Sequence, residues 1–381
     1  MKNRGWSGRA RSALVVTGAV VSALALGACG SSDDEGSAGA SSGEPIKVAI
    51  MTHRSGALAP IGLDKEMGVK AGIALATDGT NEVAGRPIEF IVGDDQSDPG
   101  QSPRIARQTL QQDKPYVVFG FDSSASALAS APIMGDAGIP DIYTIDAADE
   151  LTAFSPTTFR TSRNATQEAK IGAETVGIKS GETFMIVAPD YAYGQSAAKA
   201  WERILKEQGG KQLGGTIFAQ LDARDYTSAV ERVRSQKPDI LVVVTFAGTG
   251  GPRLFQAIDS AKIADSSRVV TLLPQRPTRE AMGPIARKVE YFAIYDQNLP
   301  QNDLHPRFVE EFKKLADGTE PDIYAGDAGV GGELIVEALK KTAGDTDPEK
   351  LRGALEGLEA EGIKGRYRVR PEDHTFLFSF Y

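Results

Sequence analysis

The chain has 381 residues, 41% hydrophobic and 24% charged, with 51 acidic against 42 basic side chains and a formal net charge of −9. That length allows two core-forming domains, and the acidic balance argues against nucleic acid and anionic lipid surfaces as partners. A single cysteine in the whole chain excludes an internal disulfide.

The cysteine lies in LALGACGSSDDEGSAG, residues 24–39. Upstream, Lys2, Arg4, Arg9 and Arg11 form a cationic start, followed by an apolar run over 13–26. That run is shorter than the about 20 residues a membrane span needs. A basic segment, a short apolar segment and then small residues form the pattern of a secretory signal. Leu26-Gly27-Ala28-Cys29 resembles a bacterial lipobox, which implies cleavage before Cys29 and a lipid on its thiol. Residues 1–28 are therefore expected to be a lipoprotein signal peptide and Cys29 the lipidation site. Residues 29–45, rich in Ser, Gly, Ala and acids, are expected to be a flexible tether. Loss of the four cationic residues takes the formal charge from −9 to −13. The expected location is extracytoplasmic, with the lipid on Cys29 as the only hold on the cell membrane.

IKVAIM (46–51) is a short apolar run, as a strand buried on both faces would be. Helical spacing follows over 61–76, then IEFIVG (88–93), a helix over 103–110 and YVVFG (116–120). A small-residue helix starts at Ser124, and PDIYTI (140–145) is again strand-like. Repeated strand–helix alternation implies a parallel sheet with helices on both faces. The pattern restarts with a helix over 170–179, the strand TFMIVA (183–188) and a helix over 194–208 ended by Gly209-Gly210. GGTIFA (214–219), a helix over 226–236 stopped before Pro238, and DILVVVTF (239–246) come next. A helix over 250–261 precedes the strands RVVTLL (268–273) and VEYFAIY (289–295). Helices over 306–315, 327–342 and 348–358 follow, the last capped by Asp347 with Pro348 in its first turn. The run DHTFLFSFY ends at Tyr381 in strand-like residues, as a chain cut within a strand would. The expected fold class is α/β, with two doubly wound parallel-sheet lobes and a cleft between them.

Open parallel sheets bind ligands at the carboxyl ends of their strands, so the loops there hold the candidate residues. GFDSSASA places Asp122, Ser123 and Ser124 beside the unpaired amides of a helix start, a place for an anion. The same residues also read as an ordinary helix cap, worth about 1 kcal/mol. Ser55 follows the first strand, Asp146 the run 140–145, and Tyr193 in YAYG the run 183–188; Phe246 ends the run 239–246. GDDQSDPG offers Asp94, Asp95 and Asp98 but no Glu where a calcium loop needs one, so Asp98 is taken as a helix cap and no metal is expected. FAGTGGPR (246–253) lacks the Lys-Ser/Thr of a phosphate loop and fits close backbone approach at the cleft edge. His53, His305 and His374 show no metal spacing, and no cofactor is expected.

Taken in order, IKVAI…SG…G, GDDQSDPGQSPRIARQ, VFGFDSSASA, ELT…FRTSRNATQ, YAYGQSAAKAW and DHTFLFSFY give the clearest resemblance. From residue 46 onward the chain is similar to type I periplasmic binding proteins of the branched-chain amino-acid (Leu/Ile/Val) binding family of ABC transporters. The resemblance implies three chain crossings, near 160–164, 296–300 and 362–365. The first lobe would then comprise 46–160 with 299–361, and the second 161–298 with 362–381. The family's ligand serine corresponds to Ser124 and its second-lobe aromatic to Tyr193. Its ammonium-binding threonine falls at Ala147, beside Asp146, and its glutamate at Gln275. Two ammonium-binding groups are thus replaced, so the implied ligand is a small carboxylate-bearing acid, aromatic or branched. Asp146 with Asp122 offers the alternative seat for a cation. The expected function is the solute receptor of an ABC importer, a monomer and not an enzyme, delivering its ligand to a membrane permease. Alternatives are a ligand-sensing receptor module of the same fold, or a hydrolase using Ser124 with His53, for which the sequence shows no evident acidic partner.

Overall fold

The computed structural model describes residues 43–248, 250–299 and 302–377. The expected signal peptide, Cys29 and the tether up to residue 42 lie outside the described residues. The first lobe begins with β1 (Ile46–Thr52), α1 (Ala59–Ala76), β2 (Glu82–Val83), β3 (Arg86–Asp94) and α2 (Ser102–Gln112). It continues with β4 (Val117–Phe119), α3 (Ser124–Ala137), β5 (Asp141–Tyr143) and β6 (Thr158–Arg160). The strand order is β2-β3-β1-β4-β5-β6, parallel except for the β2–β3 hairpin. Helices on both faces bury β1 completely at Val48, Ala49, Ile50 and Met51, which is why its sequence is apolar without alternation.

The second lobe repeats the design. It holds α4 (Ala165–Val176), β7 (Thr183–Pro189), α5 (Ala192–Glu207), β8 (Lys211–Gln212), β9 (Ile217–Ala219) and α6 (Thr227–Gln236). β10 (Ile240–Val243), α7 (Gly250–Ser260), β11 (Arg268–Leu272), α8 (Arg276–Met282) and β12 (Val289–Phe292) complete it. Its order is β12-β11-β10-β7-β8, with β9 also on β7, all parallel. The fold is therefore α/β with two doubly wound parallel sheets.

The chain then returns to the first lobe as α9 (Leu304–Leu315), α10 (Ala325–Lys341) and α11 (Pro348–Leu355), the last capped by Asp347, whose carboxylate accepts from the amides of Glu349 and Lys350. α10 lies directly on α1. A Cβ at Gly72 would stand 2.1 Å from the Gly329 carbonyl oxygen, and one at Gly332 2.3 Å from that of Val69, so the two backbones touch. β13 (Glu359–Gly362), β14 (Gly365–Val369) and β15 (Phe376–Leu377) form a small antiparallel sheet.

This last sheet corrects the expected domain plan. The expected third crossing at 362–365 is instead the tight turn of the β13–β14 hairpin. Ile363, Tyr367, Val369 and Phe376 pack into the first lobe's core with β1 and α1, and Thr375 bridges Arg160 of β6. The alternating Tyr367 and Val369 need an apolar face, and α10 is already there to supply it. Asp98 is likewise no helix cap: it accepts the Gly100 amide at 2.9 Å, and α2 starts later, at Ser102.

Glu333 of α10 ties the hairpin down. It is buried, and both its oxygens accept from the Ile363 amide at 3.2 Å. Burial pushes its carboxyl up to about 8. Between roughly pH 5 and 8 the folded chain holds a proton that the unfolded chain has released, so stability falls as pH rises through that window. Glu333→Gln keeps an acceptor and removes the charge. The melting temperature of the wild type should fall more steeply over that range than the variant's; parallel curves would mean that Glu333 is ionised in the folded protein.

Candidate functional site

In each sheet the strand order reverses beside the first strand. β3 lies on one side of β1 and β4 on the other; β8 and β9 lie on one side of β7 and β10 on the other. Loops leaving such a switch point diverge and open a crevice at the strands' carboxyl ends. Here the two crevices face one another across one cavity. Leu58 and Ile61 reach it after β1, Asp122, Ser123 and Ser124 after β4, Tyr191 after β7, and Thr245 and Ala247 after β10. Ile145, Asp146 and Ala147, Arg163 at the first crossing, Tyr193 in α5 and Tyr324 before α10 complete the wall. The lobes are drawn together: Leu58, Ile61, Ile145 and Ala147 share one apolar cluster with Tyr193, Val244 and Leu272.

The first-lobe wall is built on α3. Ser123 is its N-cap and accepts the Ser126 amide at 3.1 Å, so this hydroxyl serves the helix. The hydroxyl oxygen of Ser124 accepts the amides of Ala147 and Ala148 at 3.2 and 3.1 Å. A serine oxygen that accepts twice keeps its own hydrogen to donate. With the positive end of α3 behind it, that hydrogen suits a carboxylate. Asp122 lines the cavity with its charge already matched. Its Oδ1 pairs with Lys65 Nζ at 2.8 Å, while Oδ2 accepts from the Thr52 hydroxyl at 2.7 Å and the His53 amide at 3.2 Å. Lys65 is fully buried and also donates to the carbonyls of Met51 and Gly120, at the ends of β1 and β4. Asp146 pairs through Oδ1 with Arg160 at 2.9 Å, while its buried Oδ2 has no hydrogen-bond partner among the described residues. Burial pushes the Asp146 carboxyl up to about 6, against the pull of Arg160.

The facing wall is aromatic, with Tyr191 and Tyr193 from the second lobe and Tyr324 from the start of α10. Arg163 pairs with Glu168 through Nε at 3.0 Å and NH2 at 2.9 Å, and Tyr193 donates to the same carboxylate at 2.7 Å. The guanidinium lies 5.9 Å from the ring centres of both Tyr193 and Tyr324, and Tyr191 tilts against Tyr193. Thr245 offers a buried hydroxyl with no hydrogen-bond partner among the described residues.

Six of the expected ligand residues thus meet at one cavity: Asp122, Ser123, Ser124, Asp146, Ala147 and Tyr193. Three do not line it. Ser55 is exposed and donates to Asp94 at 3.0 Å. Phe246 packs edge-on against Tyr226 in the core behind β10, while its neighbours Thr245 and Ala247 face the cavity. Gln275 is the N-cap of α8 and donates to Asp64 of α1 at 3.2 Å. His53 is held by Asp95, the acidic partner hidden in the sequence, and no hydrogen bond joins it to Ser124 among the described residues. The Gly-rich turn makes the expected close approach: Gly248 has φ +67°, and a Cβ there would stand 2.8 Å from the Ala57 carbonyl. Arg163, Thr245 and Tyr324 line the cavity without having been singled out in the sequence. Arg163 sits in the quoted FRTSRNATQ, one residue before a helix cap; Thr245 is hidden at the end of an apolar run, and Tyr324 in a loop without periodicity.

A family model described as "Periplasmic binding protein" matches residues 45–381. Among known proteins, Leu/Ile/Val-binding protein homolog 6 of Brucella melitensis is 25% identical over 358 residues, covering 90% of this chain and 88% of that protein. A solute binding protein of an ABC transporter from Rhodopseudomonas palustris BisB5, solved in complex with 3,4-dihydroxybenzoic acid, is 26% identical with a TM-score of 0.74. The match covers 88% of this chain and 92% of that one. An ABC-type branched-chain amino acid transporter from Rhodopseudomonas palustris CGA009 is 28% identical with a TM-score of 0.71, over 88% of this chain and 91% of that one.

Lys65→Met should leave the Asp122 carboxylate buried without its counter-charge. The expected loss in urea unfolding is about 3–5 kcal/mol, the usual cost of breaking one side of a buried pair. Adding Asp122→Asn should recover part of that loss. A double variant no more stable than the single one would mean that Lys65 acts through the strand-end carbonyls alone.

Proposed function

This chain belongs to the periplasmic binding protein family, and on that premise we propose that it captures a small aromatic carboxylate between its two lobes. It is an extracytoplasmic solute-binding protein of an ABC transporter and works with a membrane permease. Ser124 carries the proposal for the ligand. Its hydroxyl hydrogen and the start of α3 form a carboxylate seat. Opposite lie the rings of Tyr191, Tyr193 and Tyr324, with Leu58 and Ile61 beside them, a surface suited to a flat apolar ring. The Rhodopseudomonas protein solved with 3,4-dihydroxybenzoic acid supports this choice of ligand class. Asp146 Oδ2 and the Thr245 hydroxyl are left to meet ring substituents. The protein acts as a binder and not as a hydrolase, since the Ser124 oxygen is engaged by two amides and His53 does not line the cavity.

One observation favours a second ligand class. Asp146 Oδ2 is a buried carboxylate oxygen free to accept from an ammonium group. A branched-chain amino acid would use it, in keeping with the name of the 28% identical relative.

The two ligand classes have opposite pH dependence. The buried pairs Lys65–Asp122, Arg160–Asp146 and Arg163–Glu168 cancel in charge. An entering carboxylate therefore adds negative charge beside Asp146 and raises its pKa above the starting value of about 6. Binding then takes up a proton, so affinity for benzoate or a hydroxybenzoate should rise as pH falls from about 7 to about 5. An ammonium lowers the same pKa, so leucine or valine should bind more tightly as pH rises over that range. Calorimetry with both ligand sets across this window decides between them; tighter binding of the amino acids, strengthening with pH, would overturn the aromatic-acid assignment.

The finer location is also proposed: Cys29 carries a lipid that anchors the chain to the cell membrane, an affinity an acidic surface cannot supply. Cys29→Ser should give a folded protein recovered in the soluble fraction after signal removal. A variant retained on washed membranes would show that something else holds it there.

A further inference from the structure

We propose that the Gln275 amide and the Asp64 carboxyl form a clasp that holds the two lobes closed without touching the ligand. Asp64 belongs to α1 of the first lobe and is 5% exposed. Its Oδ2 accepts from Gln275 Nε2 at 3.2 Å, and its Oδ1 accepts from the Asp322 amide at 3.2 Å. Asp322 in turn accepts the Arg276 amide through Oδ2 at 2.6 Å and the Ile323 amide through Oδ1 at 2.9 Å. Two first-lobe carboxyls thus grip consecutive residues at the start of α8. None of these residues lines the ligand cavity.

The chemistry explains an amide at position 275. Burial, with Asp322 beside it, pushes the Asp64 carboxyl up to about 8. A carboxyl that keeps its proton can sit beside a carboxylate in a buried place; a third acidic group there would add repulsion. Glutamine supplies the donor without a charge. The clasp has a steric companion where the second lobe's Gly248 reaches the Ala57 carbonyl. Both contacts exist only while the lobes are together, so their free energy enters every ligand's affinity equally.

The clasp rests on the proposed function only in using a ligand to report closure, and the closing experiment separates the two. Gln275→Ala should weaken every ligand in the panel by the same factor, about tenfold for one partly buried hydrogen bond, mostly through faster dissociation. Gln275→Glu should weaken all of them further at pH 7 and recover toward pH 5, as the added carboxyl takes a proton. Asp64→Asn keeps the acceptor for the Asp322 amide and, with the Gln275 side-chain amide turned over to accept, one hydrogen bond between the lobes, so it should stay near wild-type affinity. If Gln275 instead faced the ligand, the losses would differ between ligands and Gln275→Glu would strengthen binding of amino acids; either result overturns the clasp. Small-angle scattering supplies a readout without ligand: Gln275→Glu should enlarge the radius of gyration at pH 7, and radii equal to those of the wild type would overturn the clasp. Should no panel member bind the wild type, the ligand assignment fails and the radius comparison still decides the clasp.

Discussion

A buried lysine ammonium organises the ligand-facing end of the first lobe. Lys65 rises from α1 to the place where β1 and β4 end, and there meets two strand-end carbonyls and the Asp122 carboxylate. Parallel strands leave their last carbonyls pointing into the crevice at a switch point, and those groups need donors. One ammonium with three hydrogens supplies them. Asp122, so held, fixes the residues that follow it: Ser123 caps α3, and Ser124 stands where it can present a hydrogen to the cleft. The amides of Ala147 and Ala148 then orient Ser124 from the far side, which links the loop after β5 to the same arrangement. Removing a charge from water is costly, and that cost is tolerable only because each acceptor around Lys65 is already in place.

Repeated charge cancellation gives the cavity its character. Three buried cations each have a carboxylate within about 3 Å. The groups left over are weakly polar: a serine hydrogen, a threonine hydroxyl, one carboxylate oxygen and the faces of tyrosines. Such a place suits recognition by shape and hydrogen-bonding pattern more than by net charge, and the positive end of α3 is what the proposed carboxylate would draw on. The Arg163–Glu168 pair does further work in holding Tyr193 by its hydroxyl, so the aromatic wall is stiffened by the ion pair behind it.

The alternation of strands and helices was legible because parallel strands buried on both faces must be apolar at every residue, as VAIM in β1 and ILVV in β10 are. Helix starts were less so. The expected start of α4 at residue 170 misses five residues, because its real signal is the Asn164–Gln167 capping box, which carries no apolar periodicity. The strand β14, expected in the second lobe from residue 362 onward, packs on the first, since an alternating strand does not state which apolar face it will meet. Phe246 and Thr245 show the cost of a one-residue parity: neighbours on an extended chain face opposite ways, and the larger aromatic is the one turned to the core. Correspondence with the family located Gln275 at the cleft but not which side of the N-cap its amide would serve. Tyr324 and Arg163 depend on contacts made across the fold and left no local trace.

The contact between α1 and α10 has a mechanical consequence. Where Gly72 and Gly332 let two helix backbones touch, no side chains lie between to rearrange or be compressed. The first lobe is therefore stiff along the length of that seam, like two rods welded side by side. Any strain imposed when the lobes swing cannot be absorbed within it and must pass to the thin connections on either side. The same stiffness makes the Lys65 end of α1 a fixed reference against which the other half of the cleft is brought into register.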